Sequence, residues 1–296
     1  MSSVSESSFR SSSVCLITPG ARRTTLRTDD GLPIEAVYEP CTTGAAPGAD
    51  AGDAGPAIVV AHGFTGSLDR PPVRRAAAVF AQRAAVITFS FRGHGGSGGR
   101  STVGDREVLD LAAAVAWARS LGHRRVVTVG FSMGGSVVLR HGALYTAPGT
   151  PDTAQPAPPV PERRGRIEAH ADAVVAVSAP ARWYYRGTAP MRRLHWVVTR
   201  PTGRLVGRYA FRTRIDRREW DPVPLSPVEA VPLIAPAPLL IVHGDQDPYF
   251  PLDHPRMLAD AAQGGAELWL RRGMGHAESA ADESLLTRIA DWAVAE

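Results

Sequence analysis

Two stretches of this sequence carry a Gly-x-Ser-x-Gly pentapeptide: Gly130-Phe131-Ser132-Met133-Gly134 and Gly95-Gly96-Ser97-Gly98-Gly99. A serine hydroxyl is a poor nucleophile near neutral pH. It needs a base, itself oriented by a carboxylate, before it can attack an acyl carbon. The chain offers both further on. The apolar run Leu239–His243 leads into Gly244-Asp245-Gln246-Asp247, and Glu267–Leu270 leads into Gly273-Met274-Gly275-His276. The implied chemistry is acyl transfer through a serine ester, with His276 as base and Asp245 or Asp247 as its partner.

Context decides between the serines, because the pentapeptide is a weak signal in a chain with 29 glycines. The chemistry requires a tight turn from strand to helix, so that the hydroxyl projects above the sheet and the next backbone N–H faces the developing oxyanion. Ser132 meets this requirement: Val126–Val129 reads as a buried strand, and Gly134 onward (GGSVVLRHGALY) can start a helix. Ser97 does not. Arg92-Gly93-His94 precedes it and Gly98-Gly99-Arg100-Ser101 follows, so it belongs to a glycine loop. Of the other histidines, His123 and His170 read as surface positions, His141 as part of a helix and His254 as the start of one.

These groups need a scaffold. Residues 15–28 and 34–40 read as strands around the turn Asp29-Asp30-Gly31. Further strands are predicted at Ala57–Ala61, Ala84–Phe91, Arg125–Gly130, Ala173–Ser178, Leu239–His243 and Glu267–Leu270. Helices are predicted over Arg74–Arg83, Asp105–Leu121, Gly134–Tyr145 and Leu285–Val294. Apolar strands without alternation, separated by helices, indicate an α/β fold: a doubly wound, mostly parallel sheet covered on both faces. Such sheets bind ligands beyond the carboxyl ends of their strands, which is where Ser132, Asp245, Asp247 and His276 fall. The Ala/Gly-rich stretch 41–56 and the proline-rich stretch 147–166 read as loops, and residues 1–14 as a disordered tail. Residues 181–236, too long for a simple connection, read as an inserted cap dividing the core into 15–180 and 237–296.

Composition narrows the partners. All 33 basic residues are arginine, and the net charge is +4. With so much Ala, Gly and Pro, this looks like a coding bias, so basicity alone is weak evidence for a polyanion, and no nucleic-acid-binding motif supports one. No apolar run is long enough to span a bilayer. The two cysteines, Cys15 and Cys41, fit no metal motif or disulfide framework. A cytoplasmic, reduced protein with no metal or organic cofactor is expected.

The combination of HGFTGS (62–67), RGHGGS (92–97), GFSMGG (130–135), HGDQDPYFP (243–251) and GMGHAE (273–278) resembles the α/β-hydrolase superfamily, in particular its bacterial carboxylesterase, lipase and serine-aminopeptidase-like members. The resemblance runs from about residue 24 onward and is weakest in the cap. It implies Ser132, Asp247 and His276 as the catalytic triad, with Asp247 preferred to Asp245. It also implies an oxyanion hole from the backbone N–H groups of Phe64 and Met133. Where the superfamily often has Asp-x-Arg-Gly, this chain has Ser90-Phe91-Arg92-Gly93, a structural position. Serine at the elbow argues against the dehalogenase and epoxide-hydrolase branches.

The implied substrate is a small acyl compound, most simply a carboxylic ester. The same triad could serve peptide, thioester or C–C cleavage, or acyl transfer, and the fold could also serve as a non-catalytic ligand binder. Eleven arginines lie between Arg182 and Arg218, with Asp216 as the only acid. A solvated helical surface is the plainer reading of them, and steering of acidic substrates or contact with anionic lipid the alternative. Leu194, Trp196, Val197 and Val198 are expected to pack the cap onto the sheet more than to line an acyl pocket, the two roles being compatible.

Overall fold

The computed structural model describes residues 20–43, 54–147 and 168–295. The predicted tail, both predicted loops for the most part, and the start of the first predicted strand lie outside the described residues.

Runs of β-branched residues build the centre. β3 (Ala57–Ala61), β4 (Ala85–Phe89), β5 (Val126–Phe131), β6 (Ala173–Val177) and β7 (Leu239–Gly244) are buried at every position. This is the signature of a sheet covered on both faces. β1 (Arg22–Arg27) and β2 (Pro33–Glu39) form a hairpin at one edge, and β8 (Ala266–Arg271) closes the other. The sheet order is β1-β2-β4-β3-β5-β6-β7-β8; β1, β2 and β4 pair antiparallel, and all other pairings are parallel.

The two-residue period of the strands divides the core. In β3, Ala57, Val59 and Ala61 face one apolar layer, while Ile58 and Val60 face the other. The first layer is filled by α2 (Glu107–Ser120) and α3 (Met133–Leu144). The second is filled by α1 (Pro71–Phe80) and the last helix, Glu283–Val294. α1 starts at Pro71, three residues before the predicted start, because two prolines suit the first turn, where no N–H is needed.

Between β6 and β7 the chain leaves the sheet. It forms α4 (Ala189–Thr199), α5 (Pro201–Ala210) and the single turn α6 (Pro227–Ala230). Gly203 of α5 lies so close to the Trp196 and Val197 backbone that any Cβ there would collide, so the two helices pack tightly. At one residue the expectation for this segment needs correction. Trp196 is 45% exposed rather than packed on the sheet. Leu194, Val197 and Val198 line cavities. The chain ends with α7 (Asp253–Ala261), the single turn α8 (Ala277–Ala280) and α9 (Glu283–Val294).

Arg92 is the largest fully buried side chain. It forms a bidentate pair with Asp110, Nη2 donating to Oδ1 at 2.7 Å and Nε to Oδ2 at 3.2 Å, and reaches Asp30 at 2.8 Å. Ser90, at the position where the superfamily often has aspartate, donates to Glu35 at 2.7 Å and accepts from the Leu68 amide. Two histidine expectations are overturned. His123 is buried, with its Nδ1 bonded to the Gly55 carbonyl at 2.8 Å, and His170 is half-buried beside Asp172. The distant partner of His170 is Arg119 of α2, whose Nη2 lies 3.1 Å from its Nε2. Among the described residues, no helix is long and apolar enough to cross a membrane.

Candidate active site

Ser132 stands where central strand β5 hands over to α3, with φ 53° and ψ −113°. That left-handed region is costly for a residue with a Cβ, and the neighbouring glycines make it attainable. A Cβ on Gly130 would run into the Gly134 backbone, and one on Gly134 into the Ala61 carbonyl of β3. The bend is pinned by the Ser132 amide to Val177 O at 2.9 Å and by the Ser136 amide to Ser132 O at 3.1 Å.

His276 follows β8 and approaches Ser132 from the edge. Its Nε2 lies 2.9 Å from Ser132 Oγ and its Nδ1 lies 2.7 Å from Asp247 Oδ2. This assigns the proton on Nδ1 to Asp247 and leaves Nε2 to accept from the serine. The Asp247 side chain is fully buried. Burial works to raise its carboxyl, but the hydrogen bond and charge of His276 and the amides of Phe250 and Tyr249 outweigh it, so the net direction is downward. Those two amides reach Asp247 Oδ1 at 3.1 and 2.8 Å. Asp245 points elsewhere and takes the Gly273 amide at 2.6 Å. The structure thus brings together Ser132, His276 and Asp247, and leaves Asp245 out.

Ser97 is buried in its glycine loop. Its hydroxyl donates to Ser90 O at 2.5 Å and accepts the Glu35 amide at 3.0 Å. It has no imidazole partner among the described residues and staples the loop to β2.

The turn after β3 is held by His62. Burial pushes this histidine down to about 3, so it is neutral. Nδ1 donates to Gly63 O at 2.7 Å, and Nε2 accepts from the Phe91 amide at 3.0 Å. The amides of Phe64 and Met133 have no hydrogen-bond partner among the described residues, and both residues border a cavity with Ser132. Met133 opens α3, so its N–H has no intrahelical acceptor, and two unpaired amides beside the serine form a site for developing negative charge. The Gly63 amide, by contrast, is taken by Glu278 Oε1 at 3.2 Å.

Several contributors had no signal in the sequence. Tyr249 tilts over the His276 ring, with centroids 4.3 Å apart. Ser178, itself at φ 51°, accepts the Ala277 amide at 3.1 Å and so fixes the residue after His276. Glu278 sits beside Gly63 and Ser132. A strained residue at the end of a strand is a clue, but single residues such as Ser178 carry no pattern.

Two cavities meet at Ser132. One, of about 540 Å³, runs beneath the 181–236 segment along Met133, Trp183, Leu194, Ile215 and Trp220. The other, of about 660 Å³, lies on the His276 side with Tyr249, Glu278, Arg70 and Arg193. Phe64, Met191, Leu194 and Phe250 border both. Trp183 and Trp220 meet edge to face at 5.0 Å, and the Trp220 indole donates to Thr102 O at 2.8 Å, which ties the segment to the loop after β4.

The family model described as "Alpha/beta hydrolase family" matches residues 58–288. No curated protein matches the chain. Among solved structures, the chain is similar to esterase Pf2001 of Pyrococcus furiosus, with 19% identity and a TM-score of 0.63, covering 92% of this chain and 91% of that one. It is similar to a putative aryl esterase of Burkholderia cenocepacia, with 20% identity and a TM-score of 0.61, covering 92% and 97%. It is also similar to XC6422 of Xanthomonas campestris, described as an a/b serine hydrolase without lid, with 16% identity and a TM-score of 0.53, covering 92% and 91%.

Proposed function

This chain belongs to the alpha/beta hydrolase family, and from that premise we propose that it is a serine hydrolase of carboxylic esters working through an acyl-enzyme on Ser132. The observation that carries this reading is the continuous relay from Asp247 Oδ2 through His276 to Ser132 Oγ, with steps of 2.7 and 2.9 Å.

Ser132 Oγ attacks the carbonyl carbon as His276 Nε2 takes its proton. Asp247 holds the imidazole in the productive tautomer and stabilises the imidazolium. The carbonyl oxygen becomes an oxyanion and accepts from the Phe64 and Met133 amides; losing one such donor costs about 3 kcal/mol in comparable sites. His276 then returns the proton to the departing alkoxide. Water, deprotonated by the same imidazole, releases the acid from Ser132.

The proton delivery orients the substrate. The leaving group must lie on the imidazole side, so the cavity bordered by His276 takes the alcohol and the other takes the acyl group. Segment 181–236 serves as the cap that shapes both. The acyl cavity is walled by Trp183, Trp220, Met191, Leu194 and Ile215, which suits an apolar acyl chain.

Turnover of p-nitrophenyl esters of increasing acyl length, run beside matched thioesters and aminoacyl amides, tests the reading. The esters are expected to be the preferred substrates. Their kcat/KM should rise with chain length by up to about fourfold per methylene, the equivalent of about 0.8 kcal/mol of burial, until the cavity is filled. Turnover of thioesters or amides without esters would overturn the ester assignment. Absence of turnover across all three classes would overturn the enzyme reading.

A further inference from the structure

Away from Ser132, on the flank of the cap, lies a cavity of about 300 Å³ lined by Arg100, Arg204, Arg208, Arg214 and Arg217 over an apolar floor of Pro201, Leu205 and Ile215. The five arginines come from three pieces of chain. Arg100 follows the glycine loop after β4. Arg204 and Arg208 are one turn apart on α5 and so share a face. Arg214 and Arg217 lie on the segment after α5. Among the described residues, no aspartate or glutamate lines this cavity and none of the five arginines is ion-paired with a carboxylate. Asp216, though adjacent in sequence, turns its Oδ1 to the Arg218 amide at 3.0 Å and borders the acyl cavity instead.

A coding bias explains why the cations are arginine, but not why five converge without an acid. Several arginines elsewhere in the molecule meet carboxylates, such as Arg74 with Glu39, Arg92 with Asp30 and Asp110, and Arg119 with Asp172, while single ones such as Arg75 and Arg125 meet only carbonyls. Here the guanidinium groups find only neutral partners. Arg204 Nε donates to Val198 O at 2.8 Å, Arg214 donates to Ser97 O, and Arg208 lies 5.7 Å from the Tyr209 ring centroid. The Arg214 Nε is buried without a hydrogen-bond partner. The backbone beneath it is fixed by the Arg214 amide to Gly93 O at 2.8 Å and the Ser101 amide to Arg214 O at 2.7 Å. Like charges held together on a rigid support, with donors to spare, form a ready receptor for a compact anion. The planar fork of arginine matches the oxygens of phosphate in particular.

We infer that this cavity binds a multivalent oxyanion of the phosphate class. The floor of Pro201, Leu205 and Ile215 accommodates an organic portion of the same ligand. Arg204, Ile215 and Arg217 also border the acyl cavity, so a bound phosphate braces one wall of the cavity that reaches Ser132. The phosphate has two sources, a soluble phosphate compound or a phospholipid headgroup. Leu205 and Tyr209, 55% and 75% exposed on the same helix, would meet the acyl chains in the second case.

The test is calorimetric titration of the full-length protein with pyrophosphate at constant ionic strength. It compares wild type, Arg204→Ala/Arg208→Ala, and Arg256→Ala/Arg272→Ala, which removes equal charge from exposed positions elsewhere. The wild type and the distant variant are expected to bind alike, and the cavity variant about tenfold more weakly or worse, as expected for lost charge-assisted hydrogen bonds. A wild type that does not bind, or equal affinity in all three proteins, would overturn the site; the wild-type result stands even if the cavity variant does not fold. Cosedimentation with phosphatidylglycerol vesicles, against phosphatidylcholine vesicles, separates the sources. Vesicle binding displaced by pyrophosphate identifies the headgroup, and pyrophosphate binding without vesicle binding identifies a soluble ligand. Vesicle binding indifferent to both pyrophosphate and the cavity substitutions would place the phosphate contact elsewhere and refute the inference.

Discussion

Replacing Ser132 by glycine and, separately, by alanine probes the bend at the end of β5 without reference to catalysis. Both variants lose the hydroxyl and its 2.9 Å hydrogen bond to His276, so that loss cancels between them. They differ in the Cβ. Alanine keeps it at φ 53°, ψ −113°, a conformation that costs a non-glycine residue about 1–3 kcal/mol. Glycine escapes this strain but loses about 0.5–1 kcal/mol more backbone entropy on folding. The balance makes the glycine variant more stable than the alanine variant by up to about 2 kcal/mol. For a chain of 296 residues this corresponds to a melting temperature up to about 3 °C higher, at roughly 1.6 °C per kcal/mol. Thermal and urea unfolding, followed by circular dichroism, measure the difference, and both variants should be inactive. An alanine variant as stable as the glycine variant, or more so, would refute the strained turn and with it the physical reason for Gly130 and Gly134.

Three further outcomes follow from the same geometry. Asp247→Asn should keep the fold and lower kcat about 10⁴-fold, because the amide no longer holds the required imidazole tautomer; ester turnover checks it, and a loss of less than tenfold would count against the relay. Asp110→Ala should cost about 3–5 kcal/mol by leaving the buried Arg92 guanidinium short of its main partner, which urea unfolding measures. Burial pushes His62 down to about 3, His94 to about 4 and His141 to about 3, from an ordinary value of 6.5. The unfolded chain therefore binds protons that the folded protein refuses: stability is full above about pH 6.5 and is lost progressively as pH falls toward 4. At pH 5.5 each histidine contributes about 1.4 kcal/mol to the loss, roughly 4 kcal/mol together; denaturant midpoints from pH 7.5 to 5.0 check this, and a flat profile would contradict it.

The parallel core was legible because fully buried strands carry their own composition. Ala57–Ala61 is a strand with the predicted bounds, and β4 to β8 depart from prediction by one or two residues at their ends. Ser132 and Asp247 were legible because each follows such a strand, and His276 because it follows the last strand, although that edge strand is only partly buried. What escaped depends on contacts between distant segments. His123 looks like a surface residue until the Gly55 carbonyl is brought to it. Tyr249 and Glu278 acquire meaning only when their loops converge on His276 and Gly63. α4 and α5 were missed as separate helices because exposed apolar residues such as Trp196 and Tyr209 blur the periodicity. The choice between Asp245 and Asp247 could not come from spacing, since both follow β7; it is made by the tight turn that aims one carboxylate at His276 and the other at the Gly273 amide.

The central claim, that Ser132 is the nucleophile activated through His276, is tested most directly by a fluorophosphonate probe followed by mass mapping of the adduct. A single adduct on Ser132 is expected in the wild type, with no labelling of Ser132→Ala and undiminished labelling of Ser97→Ala. Labelling that survives Ser132→Ala, or that maps to Ser97, would contradict it.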